Sequence, residues 1–289
     1  MAPVRSTERV LDILEAISRH PRGLTLAQAS REVGIPRSTA HGVVHALLNR
    51  GYLHMTGDGT LAVGVRLLEL GGLFAARMNL IKEFQFVAPR MAAECGETIQ
   101  MAIVDGSEVV FVAKEDGTNP PHVSSYIGRR ALAHTTGAGK AFLAALPQSE
   151  LDRLYAGDEL LPQATPLSIS TRTALMSEIK TIRRVGYAHD NEEAYEGLQC
   201  VAAPVLGQDG SPIAAISITL LSVRATPSRL TELAGLVVRG AQEVSGRMGF
   251  SGSRVTDPAT HAPGHLLFSQ GQSPSAAHAI GRADAVERS

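Results

Sequence analysis

Cys200, His189 and Asp190 are by type a nucleophile, a base and an orienting acid. Neighbouring residues on a strand point to opposite faces, so His189 and Asp190 form a relay only if they lie in a loop. The same three residues, with His134, carry metal-donor atoms, but none has the ligand-pair spacing of a zinc site. Cys95 and Cys200 are the only cysteines, too few for a disulfide framework. A buried free cysteine is commonly a small core residue. Neither catalysis nor a metal or other cofactor is therefore expected; an enzyme or metal sensor built on the Cys200/Asp190 region is the alternative.

Two further groupings have binding chemistry. The string Thr135-Thr136-Gly137-Ala138-Gly139-Lys140 ends like a phosphate-binding loop. Such a loop also needs Gly five positions before Gly139 and Ser or Thr after the lysine. His134 and Ala141 stand there, so nucleotide hydrolysis is not expected. What remains is a run of small residues entering a helix, whose open N–H groups attract an anion such as the carboxylate of a small organic acid. Ser217 and Thr219 lie two apart on a strand and share a face, either lining a pocket or meeting solvent. Ile216, Ile218 and Leu220 take the opposite face as core.

These residues sit in a region of mixed period. Residues 98–104 and 109–113 alternate like strands around Asp105-Gly106-Ser107, a hairpin connection. Residues 139–146, 149–155, 173–185 and 230–248 read as helices. Residues 201–206 and 213–221 read as strands around the turn at 207–210. The irregular alternation predicts an α+β domain, an antiparallel sheet with helices packed on it.

Ahead of it, residues 25–64 spell two helices, a turn and a two-stranded wing. Thr25 followed by Gln28 is a capping box, and Gly34 suits the left-handed residue closing a short helix. Pro36 opens the next helix, where its missing N–H costs little. Ala40, Val43 or Val44, and Leu47 recur at helical spacing and face a core; Arg37, Ser38, Thr39, His41 and His45 fall mostly on the other face, free to meet phosphates and base edges. Residues 52–55 and 61–63 are strands across Asp58-Gly59, a preferred hairpin dipeptide. The layout is that of a DNA-reading helix–turn–helix with a wing. Residues 6–19 add an amphipathic first helix. Residues 65–73 are helical until Gly71-Gly72 weakens the pattern, and residues 80–95 are helical with a kink or restart at Pro89.

The chain's net charge of −1 hides an asymmetry. Residues 1–77 hold nine arginines, no lysine and six acids, a net of +3; the remainder holds 18 bases and 22 acids, a net of −4. A basic head on an acidic body fits a DNA-binding module joined to one that does not bind DNA. Residues 1–5 lack the apolar core of a signal peptide, and the longest apolar run, 213–221, is far too short to span a bilayer. A cytoplasmic protein with no membrane partner is expected. Twenty of the 39 residues at 251–289 are Gly, Pro, Ser or Ala, which reads as a disordered tail.

With these strings in place, the chain resembles the IclR family of bacterial transcriptional regulators over roughly residues 5–250. The matching segments are GLTLAQASREVGIPRSTAHGVVHALLNRGYL with the wing DGTLAVG, then GETIQMAIVDG, TTGAGKAFLA, RRVGYAHDNEEAYEGLQCVAAPV and AAISIT. The resemblance implies a winged helix–turn–helix domain at 1–70, linker helices at 71–95 and an effector-binding domain at 96–250, ahead of the tail at 251–289. It implies a repressor that binds palindromic double-stranded operator DNA as a dimer or a pair of dimers.

It also implies an effector pocket lined by Gly137, Ala138, Asp190, Leu198, Cys200, Ser217 and Thr219, with Ala131 and Val123 as an apolar wall. The effector would be a small carboxylate. TGAGKAFLA with AAISIT is closest to members sensing oxoacids such as glyoxylate or pyruvate, while small Ala131 leaves room for an aromatic acid. Two positions depart from the family. Gly42 stands on the reading helix where a larger, often basic side chain is common, and Ala131 where a larger apolar residue is common.

Overall fold

The computed structural model describes residues 5–77, 79–119, 126–157 and 159–252. The chain divides into two compact units, Met1–Lys82 and Glu83–Ser289. The tail reading, from residue 253 onward, and Val123 lie outside the described residues.

The first unit begins with α1 (Arg5–Ser18), α2 (Leu26–Val33) and α3 (Arg37–Asn49), followed by β1 (Leu53–Met55) and β2 (Leu61–Val63). Thr25 caps α2 in a reciprocal pair with Gln28, and Gly34 closes it at φ 71°. These two devices fix where the turn between the helices falls. β1 and β2 pair antiparallel, with Met55 opposite Leu61. Asp58 Oδ1 accepts from Thr60 N–H at 3.2 Å and holds the wing's turn. The core gathers Ile13, Ile17, Leu24, Ala40, Val44, Leu47, Leu53 and Leu61. Of the two candidate valines Val44 is buried, and Val43 packs at the margin. Next come α4 (Val65–Arg77), which runs through Gly71-Gly72 without ending, and α5 (Asn79–Cys95), with Pro89 inside one helix.

The second unit is built on a six-stranded antiparallel sheet. Its strands are β3 (Thr98–Asp105), β4 (Glu108–Glu115), β5 (Arg130–Leu132), β6 (Ala188–Asn191), β7 (Leu198–Leu206) and β8 (Pro212–Leu221). Their order is β5-β4-β3-β8-β7-β6, so both edges are short strands that the sequence reading did not assign. Between β5 and β6 lie α6 (Gly137–Ala145), α7 (Gln148–Leu154) and α8 (Arg172–Val185); α9 (Pro227–Arg247) ends the fold.

Alternation along β7 and β8 dresses the two faces differently. Ala202 and Ala215 join α6 and α8 in one apolar cluster with Leu143, Leu151, Leu175 and Ile179. The alternate residues Ile216, Ile218 and Leu220 are fully buried too, and α9 packs on β7 and β8. Both faces are therefore covered, and a polar side chain inward on either is desolvated and must find partners.

Two helical glycines in the fold behave oppositely. A Cβ at Gly42 on α3 meets nothing within 4 Å, whereas one at Gly139 on α6 overlaps the backbone of Ala133. Gly42→Ala should raise the stability of the first unit by about 1 kcal/mol. Gly139→Ala should lower that of the second by about 1–3 kcal/mol, since backbone must shift. Urea unfolding of the full chain checks both, and an unchanged midpoint for Gly139→Ala would contradict the close approach.

Candidate functional site

The residues expected to face DNA all lie on α3. Ala40, Val44 and Leu47 bury one side of it. That leaves Arg37, Ser38, His41 and His45 exposed and Thr39 half-buried. His41 and His45 stack one turn apart, rings 6.3 Å between centroids, and Asn49 Nδ2 lies 3.2 Å from His45 Nδ1. The five sequence-selected residues are thus all at least partly exposed, as is Gly42 among them.

The second unit carries a cavity of about 40 Å³ against the sheet. Register explains its chemistry. Thr98 stands opposite Thr219, Thr219 opposite Cys200, and Cys200 opposite Asp190. Directly opposed residues share a face, so these four form a polar row across β3, β8, β7 and β6. The next row is Gln100, Ser217, Ala202. Thr219 Oγ1 donates to Gln100 Oε1 at 3.3 Å, which ties the two rows together. The start of α6 closes the cavity. Thr136 Oγ1 accepts from Gly139 N–H at 3.0 Å, while Gly137 N–H points at the Cys200 thiol. Gly137 is needed there, because a Cβ would stand 2.5 Å from Cys200 Sγ.

Of the residues chosen from sequence, Ala138, Asp190, Leu198, Cys200, Ser217 and Thr219 line this cavity. Gly137 adjoins it through Cys200. Ala131 does not reach it. It pairs with Val109 at the sheet edge and packs against the apolar cluster instead. Sequence reasoning missed Thr98, Gln100, Phe111, Arg129, Thr136 and Tyr195, which also line the cavity. The alternation of Thr98 and Gln100 along an otherwise apolar strand was a usable signal. Phe111, Arg129 and Tyr195 carried none, because only tertiary packing unites them.

Below the polar row lies a buried charge network. Lys140 on α6, 1% exposed, pairs with Glu193 and lies 3.4 Å from Glu178. Burial works against its charge, but Glu193, Glu178 and Asp190 outweigh that and hold its pKa above the ordinary value. Asp190 is fully enclosed, and burial pushes its carboxyl up to about 7 against the pull of Lys140. Its Oδ1 accepts from Glu193 N–H at 2.8 Å and Ala194 N–H at 3.4 Å; its Oδ2 lies 3.8 Å from the Cys200 thiol. The turn that follows puts Glu192 at φ 62°, a left-handed conformation that costs a non-glycine residue about 1–2 kcal/mol. That turn aims Glu193 inward and Tyr195 at the cavity mouth.

The arrangement is poor for covalent chemistry. Burial, then the Asp190 charge, pushes the Cys200 thiol well above its ordinary pKa and away from the reactive thiolate. His189 and Asp190 both lie on β6, on opposite faces, and His189 Nε2 is 3.0 Å from Gln199 Oε1. Burial lowers the His189 pKa and keeps the ring neutral. Among the described residues no group of three or more His, Cys, Asp or Glu side chains is placed to hold a metal. The cavity offers instead hydroxyls, an amide, the helix start at Ala138 and a carboxyl that changes charge near neutral pH. That is a set for holding a small polar ligand.

Comparison with known proteins fits both halves. The family model for the bacterial transcriptional regulator IclR C-terminal domain matches residues 73–246, and that for the IclR helix-turn-helix domain matches residues 6–56. Transcriptional repressor IclR of Escherichia coli (strain K12) is 31% identical over 245 residues, covering 84% of this chain and 89% of that protein. The crystal structure of Thermotoga maritima IclR superposes with a TM-score of 0.72 at 26% identity, covering 85% of this chain and 99% of that one. An IclR homolog from Microbacterium hydrocarbonoxydans, solved as a complex with 4-hydroxybenzoate, gives a TM-score of 0.72 over 84% of this chain and 98% of that one. At 22% identity that likeness is one of fold. No described helix is long and apolar enough to cross a membrane. With family models across both units and a relative matched along most of its length, the chain belongs to the IclR family of bacterial transcriptional regulators.

Proposed function

We propose that the protein is a cytoplasmic repressor whose operator binding is set by a small carboxylic acid in the cavity of its second unit. The reading rests on one observation above all. A row of hydroxyl, thiol and carboxyl groups, Thr98, Thr219, Cys200 and Asp190, meets the start of α6 at one cavity. The Ala138 N–H and the positive end of α6 take the carboxylate, and Ser217 and Thr219 take the ligand's remaining oxygen atoms. A single water needs about 10–15 Å³ of cavity, and a cavity of about 40 Å³ suits a two- or three-carbon oxoacid. An aromatic acid such as 4-hydroxybenzoate, bound by the Microbacterium homolog, would require the walls to part.

The head supplies DNA binding. α3 enters the major groove with Arg37, Ser38, Thr39, His41 and His45 toward bases and phosphates, and Arg50 and the wing turn at Asp58-Gly59 approach the backbone. The protein acts as a dimer or a pair of dimers on a palindrome, and the acid shifts the relative placement of the two heads. Such coupling is typically worth about 1–3 kcal/mol. Asp190 belongs to the binding set as an acid and not a nucleophile: neutral, it donates to a ligand oxygen; ionised, it repels the anion.

The direct test is binding of the purified protein to the DNA immediately upstream of its own gene, with excess nonspecific competitor. It is repeated with glyoxylate, pyruvate and 4-hydroxybenzoate. Specific binding that one acid shifts by about 5–150-fold is expected; specific binding that no acid changes would overturn the effector reading. Arg37→Ala should weaken operator affinity and lower the salt dependence by about one ion; an unchanged slope would reject a phosphate contact. Acid affinity should be highest below pH 7 and fall by up to about tenfold per pH unit above it, as Asp190 ionises. Asp190→Asn keeps the acceptor for Glu193 N–H while offering a permanent donor, so it should flatten that profile. A wild-type affinity constant from pH 6 to 8.5 would contradict the role given to Asp190.

A further inference from the structure

Two adjacent arginines leave the sheet's edge with opposite fates. Arg130 is spent on the surface, its guanidinium 2.7 Å from both Asp105 and Glu108. Arg129 points the other way and lines the cavity. Its guanidinium carbon lies 4.8 Å from the Phe111 ring centre and 4.6 Å from that of Tyr195, so two aromatic faces grip it. Its Nε is buried and has no hydrogen-bond partner. Among the described residues no carboxylate pairs with it, whereas Arg130, Arg172, Arg224, Arg229 and Arg247 of the same unit each pair with one.

Arg129 is half-buried, and taking even part of an arginine out of water without a counter-charge is costly. Stacking between rings offsets part of that cost and leaves the donor edge in the ring plane unused, since guanidinium donors lie in plane while the rings cover its faces. That edge is the feature a planar carboxylate matches with two parallel hydrogen bonds. Asp190 and Cys200 also line the cavity, but neither can carry positive charge, and the cation of the network, Lys140, is already committed to Glu193 and Glu178. Without Arg129 the cavity would offer an anion little beyond the partial charge of a helix start.

We propose that Arg129, held between Phe111 and Tyr195, is the counter-charge for the effector's carboxylate and makes the site select an acid over its neutral isostere. This rests on the small-acid reading of the cavity and names the residue that enforces it. Tyr195 stands on the 192–197 turn beside Glu193, so the same clamp that orients Arg129 ties the ligand's charge to the turn bearing the buried network.

The test measures calorimetric binding of three acids, glyoxylate, pyruvate and 4-hydroxybenzoate, each beside its neutral amide, to the full-length wild type, Arg129→Gln and Arg129→Lys. Wild type should prefer the best acid over its amide by at least tenfold, and that preference should weaken with salt. Arg129→Gln should lose at least tenfold for the acid with amide binding unchanged, and Arg129→Lys should recover part of the loss. Equal acid affinity in Arg129→Gln and wild type would overturn the proposal, as would an equal loss for acid and amide, which marks a purely structural role. Wild type that binds none of the acids would instead defeat the small-acid reading itself, and the role of Arg129 with it.

Discussion

A single buried cation organises the second unit. Lys140 projects from the first turns of α6 into a space where water cannot solvate it, and Glu193 and Glu178 replace the lost hydration. Leaving such a charge unpaired typically costs about 3–5 kcal/mol, so the pair fixes three things together. It sets the depth at which α6 enters the sheet, the path of the turn after β6, and the face of α8 that turns inward. Close approach follows: Gly137 and Gly139 are the residues at which any side chain would collide with Cys200 or Ala133. The left-handed Glu192 is a local expense of the same constraint. Its carboxylate accepts from Gly197 N–H at 2.6 Å, which stiffens the turn it strains.

The network also sets the electrostatics of the cavity above it. Lys140 is shared among more carboxylates than it can neutralise, and burial then favours the proton on Asp190, whose pKa reaches about 7. A ligand carrying negative charge meets a neutral donor where a carboxylate would otherwise repel it. An anion would meet least repulsion along the polar row from Thr98 to Asp190 when Asp190 carries its proton, below about pH 7. Cys200 between them stays a thiol for the same reason, burial beside an acid.

Legibility in the sequence followed the range of the interactions. Signals within a turn or a helix were readable: the Thr25–Gln28 box, Gly34, the spacing of Ala40, Val43 or Val44, and Leu47, and Asp58-Gly59 all mark features found where they were expected, with Val44 the buried valine. Period-two alternation placed Ser217 and Thr219 on one face, and the family resemblance directed attention to Asp190, Leu198 and Cys200, which line the same cavity. The short edge strands β5 and β6 were not legible, since three or four residues carry too little pattern to separate from loop. Ala131 was assigned to the wall by resemblance and lies instead at the sheet edge beside Val109. Arg129, Phe111 and Tyr195 meet from positions far apart in the chain. Nothing local announces a cation held between two rings.

The central claim is that the cavity and the DNA-reading head share one equilibrium. Linkage makes this measurable from either side, because an acid that changes operator affinity by some factor must find its own affinity changed by the same factor on DNA. The most direct measurement is calorimetric titration of the effective acid into the protein alone and into the protein saturated with its operator duplex. The two dissociation constants should differ by about 5–150-fold, matching the shift in operator affinity that the acid produces. Identical acid affinity on and off the operator would contradict the claim and leave the cavity as a binding site with no hold on the DNA.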